Sequence, residues 1–161
     1  MPENRCLLTA APTLHAINAD DQDQVTPDSI LVQWDDNSNN ETGFRVEIGR
    51  NGTWWSSDIV PANTEYYLKT GLNNGQEYSF RARANGLPNS DYSETRTTTT
   101  ILPGPTGLTA TPPVNGQTTL SWTPGTSQGK QRIERSADDG ATWSVVVPYM
   151  EAAVTSKTVS G

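Results

Sequence analysis

Apolar and polar residues alternate with period two through much of this chain, and nothing of helical period lasts ten residues. In SILVQW, Ile30, Val32 and Trp34 share one face; in GFRVEI, Phe44, Val46 and Ile48 do so. In EYSFRARA, Tyr78, Phe80, Ala82 and Ala84 share a face while Arg81 and Arg83 point the other way. Each run predicts a half-buried strand. Between them lie DDNSNNETG, the Asn51-Gly52 pair and LNNG from Leu72 to Gly75, rich in the Asn and Gly that supply positive φ in hairpin turns. Short strands at this spacing predict an all-β sandwich.

The Pro- and Gly-rich stretch ILPGPTG, Ile101 to Gly107, interrupts the pattern as an interdomain linker does. Beyond it the first half begins again. TTLSW repeats the SILVQW theme, with Leu120 and Trp122 answering Val32 and Trp34. QRIER answers FRVEI, so Arg132, Ile133 and Glu134 match Arg45, Val46 and Glu47, and GATW at Gly140 to Trp143 answers GTW at Gly52 to Trp54. The period is roughly 90 residues, the length of a whole small domain.

These segments resemble tandem fibronectin type III domains. Repeat one has the Trp of the second strand (Trp34), the Asn-Glu-Thr-Gly-Phe-Arg-Val-Glu third strand common in bacterial and phage members, and GLNNGQEYSFRARA, which is similar to the family's Gly-Leu, turn, Tyr-x-Phe-x-x-x-Ala signature. Leu72 and Tyr78 fill the tyrosine-corner positions. The resemblance implies two immunoglobulin-like β-sandwiches in tandem, the second lacking its last two strands: a leader at 1–10, a domain at 11–100, a linker at 101–106 and a partial domain at 107–161. The second repeat reaches Gly161, the counterpart of Gly71, before any match to Leu72, Tyr78 and Phe80.

Two strands fewer would remove much of a sandwich core and leave backbone edges unpaired. The third strand of repeat two is also more polar, since Gln131 and Arg135 stand where Phe44 and Ile48 stand in repeat one. Repeat two is therefore expected to fold poorly alone. Its apolar Leu120, Trp122, Ile133 and Val145 are expected to be covered by a longer chain or by another subunit.

Composition narrows the chemistry. The chain has 161 residues, 33% of them hydrophobic, and a mean hydropathy of −0.62, which suits one or two small domains rather than a large enzyme core. No apolar run approaches the roughly 18 to 20 residues that span a bilayer, and the start MPENRCLL shows no export signal. One cysteine, Cys6, and one histidine, His15, cannot make an internal disulfide or a Cys/His zinc site. The net charge of −7 sits wholly in residues 12–100, where thirteen acids face six bases; residues 101–161 carry four of each sign. An acidic first half disfavours nucleic acid and anionic membrane as partners.

The remaining motifs have structural readings. SADDGATW, Ser136 to Trp143, fits the Ser-x-Asp-x-Gly-x-Thr-Trp pattern of the Asp-box hairpin and is read as a tight turn capped by Asp138. Asp35, Asp36, Asn37, Asn39 and Glu41 lack the order of a calcium loop, and no paired carboxylates across a cleft are expected in so small a sandwich. No catalytic residue, cofactor or metal is therefore assigned, and the chain is not expected to be an enzyme. Trp54, Trp55, Tyr66 and Tyr67 are adjacent aromatics on strands, so one of each pair should turn outward. With Leu120, Trp122 and Ile133 they are the candidate partner-binding residues, for protein or for surface carbohydrate.

The expected function is a non-enzymatic structural or display role. The first reading is a phage virion decoration protein, assembled in the host cytoplasm and bound to capsid or tail subunits or to neighbouring copies of itself. The alternative is an accessory or spacer region of a bacterial extracellular or cell-surface protein or polysaccharide-degrading enzyme.

Overall fold

A computed structural model describes residues 9–160; Cys6 and the start of the leader lie outside them. All regular structure among the described residues is strand, divided between two compact units, Met1–Ile101 and Leu102–Gly161.

In the first unit the strands are β1 (Thr13–Leu14), β2 (Ile30–Asp35), β3 (Gly43–Arg50), β4 (Thr53–Pro61), β5 (Tyr66–Lys69), β6 (Glu77–Asn85) and β7 (Arg96–Thr99). They form a sheet of order β1-β2-β5 and a sheet of order β4-β3-β6-β7, all antiparallel. The period-two pattern sets which face is buried: Ile30, Val32 and Trp34 from one sheet meet Phe44, Val46, Ile48, Phe80, Ala82 and Ala84 from the other. Ala82 and Ala84 oppose Val46 and Phe44 across β3 and β6, so small residues leave room for the Trp34 ring, whose centroid lies 5.5 Å from that of Phe44. Full burial of such side chains contributes about 1.5 to 3 kcal/mol each before chain entropy is counted.

The turns follow their chemistry. Asn51 and Gly52 both take positive φ, 52° and 77°, and join β3 to β4 as a two-residue hairpin. The tyrosine corner is formed: the Asn73 N–H donates to the Tyr78 hydroxyl at 3.0 Å, and Leu72 packs against the core. Arg96 Nε, on β7, donates to the Leu14 carbonyl at 3.1 Å and so ties one sheet to the other.

The second unit holds β8 (Thr106–Ala110), β9 (Gln117–Thr123), β10 (Lys130–Arg135), β11 (Ser144–Glu151) and β12 (Ser156–Ser160). β8 opens at Thr106, at the end of the stretch expected to be a linker. The sheets are β8-β9-β12 and β10-β11, with no counterpart of β6 and β7 among the described residues. Trp122 and Ala152 are its buried apolar residues, a much smaller core than that of the first unit.

Candidate interaction surfaces

The aromatic pairs on β4 and β5 separate, but not by simple alternation. The register of β3 against β4 slips between Ile48 and Gly49, so Ile48 faces Ser56, Gly49 faces Trp54, and Trp55 is the extra residue of a bulge. Trp54 therefore lands on the outer face beside Glu47. There the Arg81 guanidinium lies between two rings, 4.2 Å from Trp54 and 4.1 Å from Tyr92. Arg81 Nε and Nη2 donate to Glu47 Oε2 at 2.9 and 2.7 Å, and the Tyr92 hydroxyl donates to Oε1 at 2.5 Å. Burial pushes the Glu47 carboxyl up, but the Tyr92 and Arg81 hydrogen bonds and the Arg81 charge outweigh it and hold it below the usual range. Trp54 is thus engaged within its own sheet, and Tyr92, absent from the sequence candidates, completes the stack.

Trp55 is 53% exposed, its ring edge-on to Tyr78 with centroids 6.4 Å apart. With Ile48, Lys69 and Leu72 it lines an open depression of about 480 Å³. On β5, Tyr66 is the outward member, 61% exposed, and Leu68 shares its face. Tyr67 turns inward against the core, and its hydroxyl donates to Asp58 on β4, with Lys69 Nζ 3.5 Å from the same carboxylate. Burial first, then the Asp58 hydrogen bond and charge, drive the Tyr67 hydroxyl well above its ordinary range. Of the four aromatics, Trp55 and Tyr66 are presented to solvent while Trp54 and Tyr67 are held by polar partners.

In the second unit Leu120 and Ile133 are half-buried on either side of a groove of about 540 Å³, lined also by Leu108, Trp143, Val146 and Val159. Val145 is exposed, as expected of an uncovered residue. Trp122 is not: it is only 8% exposed, covered within its own unit. Its indole N–H donates to Gln131 Oε1 at 2.5 Å, and Gln131 Nε2 donates in turn to the carbonyls of Ala152 and Val154 at 2.5 and 3.1 Å. The polar residue in the third strand therefore closes one end of this small core. On the outer face of β10, Arg132 and Glu134 form an ion pair at 3.0 Å.

The Asp138 carboxylate caps its hairpin, accepting from Ser136 Oγ at 2.7 Å, the Thr142 N–H at 2.8 Å and Thr142 Oγ1 at 2.6 Å. Those Thr142 and Ser136 hydrogen bonds bring its pKa down to about 2. In the Asp35 to Glu41 loop, Asp36 accepts from the Ser38 N–H at 2.9 Å and Glu41 from the Asn63 N–H at 3.2 Å, so both carboxylates order backbone. Among the described residues no three His, Cys, Asp or Glu side chains converge as metal ligands do.

Comparison with known proteins agrees with this architecture. The family profile described as "Fibronectin type III domain" matches residues 16–99. A two-domain fibronectin type III segment of chicken tenascin is similar at a TM-score of 0.66 and 19% identity, covering 92% of this chain and 82% of that one. A β-1,2-glucanase from Parabacteroides distasonis is similar at a TM-score of 0.50 and 17% identity over 60% of this chain, which spans only 14% of the glucanase. At these identities the likeness is one of fold. A comparison with curated protein sequences finds no match.

Proposed function

The chain belongs to the fibronectin type III family, and on that footing we propose that it is a non-enzymatic display module, a phage virion decoration protein whose first unit projects and whose second unit docks. One observation carries this reading: the contrast between the two halves. In the first unit Ile30, Val32, Trp34, Phe44, Val46, Ile48 and Phe80 of β2, β3 and β6 are buried, and its outer-face charges Glu47 and Arg81 are paired. In the second unit Leu120 and Ile133 flank an apolar groove, on a half of the chain that carries no net charge. Open apolar surface favours association, and a neutral face meets less long-range repulsion on docking than the acidic half does. Capsid or tail subunits and neighbouring copies are the partners of this reading.

Hydrogen exchange tests it. Residues 118–135 should exchange quickly in the free protein and become protected in purified virions that carry it. Equal, strong protection in both states would count against docking by this half, and absence of the chain from virions would remove the virion assignment. The second reading, an accessory or spacer region of a bacterial extracellular protein or polysaccharide-degrading enzyme, has the glucanase likeness as its support. It would be favoured by finding the chain encoded within such an enzyme.

A further inference from the structure

Where β3 pairs with β6, the outer face carries three arginines and one glutamate. Phe44, Val46 and Ile48 of β3 and Phe80, Ala82 and Ala84 of β6 fill the core, so Arg45 and Glu47 on one strand and Arg81 and Arg83 on the other turn the opposite way. The register sets Glu47 against Arg81, a matched pair, and Arg45 against Arg83, two like charges directly opposed. Like charges so placed on a sheet are destabilising. Nothing beside them relieves the repulsion. Glu47 spends Oε2 on Arg81 and Oε1 on Tyr92, and neither Arg45 nor Arg83 has a carboxylate within ion-pair distance among the described residues.

Each of the two heads is steadied by one neighbour. Arg45 Nη1 donates to Ser57 Oγ at 2.8 Å, and the Arg83 guanidinium lies 5.0 Å from the centroid of the Tyr92 ring. The Nε–H of each is buried with no acceptor among the described residues. A guanidinium offers five N–H donors, of which the fold uses one of Arg45's and none of Arg83's among the described residues. Both side chains are half-buried, so the heads reach solvent from packed stems. Residues 12–100 hold thirteen acids against six bases, yet two of those bases are set against each other here without an acid. Directly opposed residues stand about 4.5 to 5.5 Å apart at Cβ, so two positive charges and their spare donors converge on one point. That is the chemistry that recognises a dianionic oxyanion. A long polyanion would meet the acidic surroundings, whereas a single oxyanion group reaches the pair without spreading charge over them.

We propose that Arg45 and Arg83 form a binding site for one dianionic oxyanion group, a sulfate or a phosphate, whose charge cancels that of the opposed pair. The Glu47–Arg81 pair is already neutral and bounds the site along the strands. The site belongs to the first unit alone and stands whichever way the second unit docks. Free inorganic ions and a phosphate monoester carried on a larger molecule present the same chemistry to it.

Arginine Nε–H NMR signals of the full chain, titrated with sodium sulfate against sodium chloride of equal ionic strength, test the inference. The Arg45 and Arg83 signals should move together and saturate, with half-saturation at about 10 mM or below, while the Arg50 signal follows the chloride control. Arg83→Lys keeps the charge but loses the planar fork, and should weaken sulfate binding by about fivefold or more. Arg45→Gln or Arg83→Gln should each weaken it by more than about tenfold, and Arg50→Gln should leave it unchanged. Because Arg50→Gln removes the same net charge, an equal loss in that variant would report the charge of the whole domain and overturn the inference. So would the absence of saturable movement in the unaltered chain below about 50 mM sulfate, a result that needs no variant to fold. Phenyl phosphate at about pH 6.5, above the second pKa of a monoester, separates the two sources. Binding as tight as that of sulfate assigns the site to a group carried on a larger molecule; sulfate binding with phenyl phosphate excluded assigns it to a free ion.

Discussion

Trp122 Nε1 donates to Gln131 Oε1 at 2.5 Å, whereas in the other repeat the matching residues, Trp34 and Phe44, meet ring to ring at 5.5 Å. The Trp34 indole N–H is buried without a hydrogen-bond partner among the described residues. One repeat thus fills this position with apolar volume. The other fills it with an amide that also ties down the carbonyls of Ala152 and Val154, in the turn before β12.

Replacing Gln131 by Leu should therefore harm the second unit although it makes the core more apolar. It strands the Trp122 N–H and two carbonyls, and an unsatisfied buried polar group costs about 1 to 3 kcal/mol. Tryptophan fluorescence during thermal unfolding should show an earlier transition in the second unit and an unchanged one in the first. A gain in stability would mean that the network contributes less than apolar filling does.

In the first unit the prediction runs through volume. Trp34→Ala should cost about 3 to 5 kcal/mol, because the ring it removes is enclosed by Phe44 and the strands of both sheets and the cavity cannot collapse. Residues 10–102 should unfold in one cooperative transition, and the variant should shift that transition well down in denaturant. A shift of less than about 1 kcal/mol would place Trp34 outside the core.

The Glu47 carboxyl sits below its usual range once the fold forms, so the stability it contributes is present above the unfolded carboxylate pKa and is lost as pH falls through the folded value. Stability should decline below about pH 4, where model carboxylates begin to protonate. Glu47→Gln should flatten that part of the acid limb while lowering stability at pH 7, since it removes the charge facing Arg81. Denaturant melts of both proteins from acid to neutral pH check this. Parallel curves would show that the Trp54–Arg81–Tyr92 stack holds without the carboxylate.

Most of the fold was legible because period-two alternation is written locally: every core residue of β2, β3 and β6 follows from its own strand. The surfaces were less so. Alternation required only that one of each aromatic pair face outward; on β5 that residue is Tyr66, but which of Trp54 and Trp55 does so depends on the bulge opposite Gly49, set by how β3 pairs with β4. Gln131 read as a defect in an apolar strand, since its partners Ala152 and Val154 come from the turn after β11. Tyr92 gave no local signal at all; it matters because the chain beyond β6 returns it over Arg81.

The Asp35 to Glu41 loop gives the last prediction, which separates a calcium loop from a turn ordered by its own hydrogen bonds. Burial raises the Asp36 carboxyl above its usual value; the Ser38 N–H opposes this, and the charges of Glu41 and Glu65 add to it. A carboxyl whose folded pKa is raised contributes stability below the unfolded pKa and loses it as pH climbs through the folded one, so at pH 7 the charged Asp36 works against the fold. Asp36→Asn keeps an acceptor for Ser38 and removes the repulsion. It should raise the melting temperature at pH 7 by about one to two degrees, a small gain because the site is partly open to solvent, and the gain should vanish as the wild-type group protonates. EDTA should leave both melting curves where they are. If chelation lowers the wild-type transition, or the asparagine variant melts earlier at pH 7, then the carboxylate is holding a cation and the loop is a metal site.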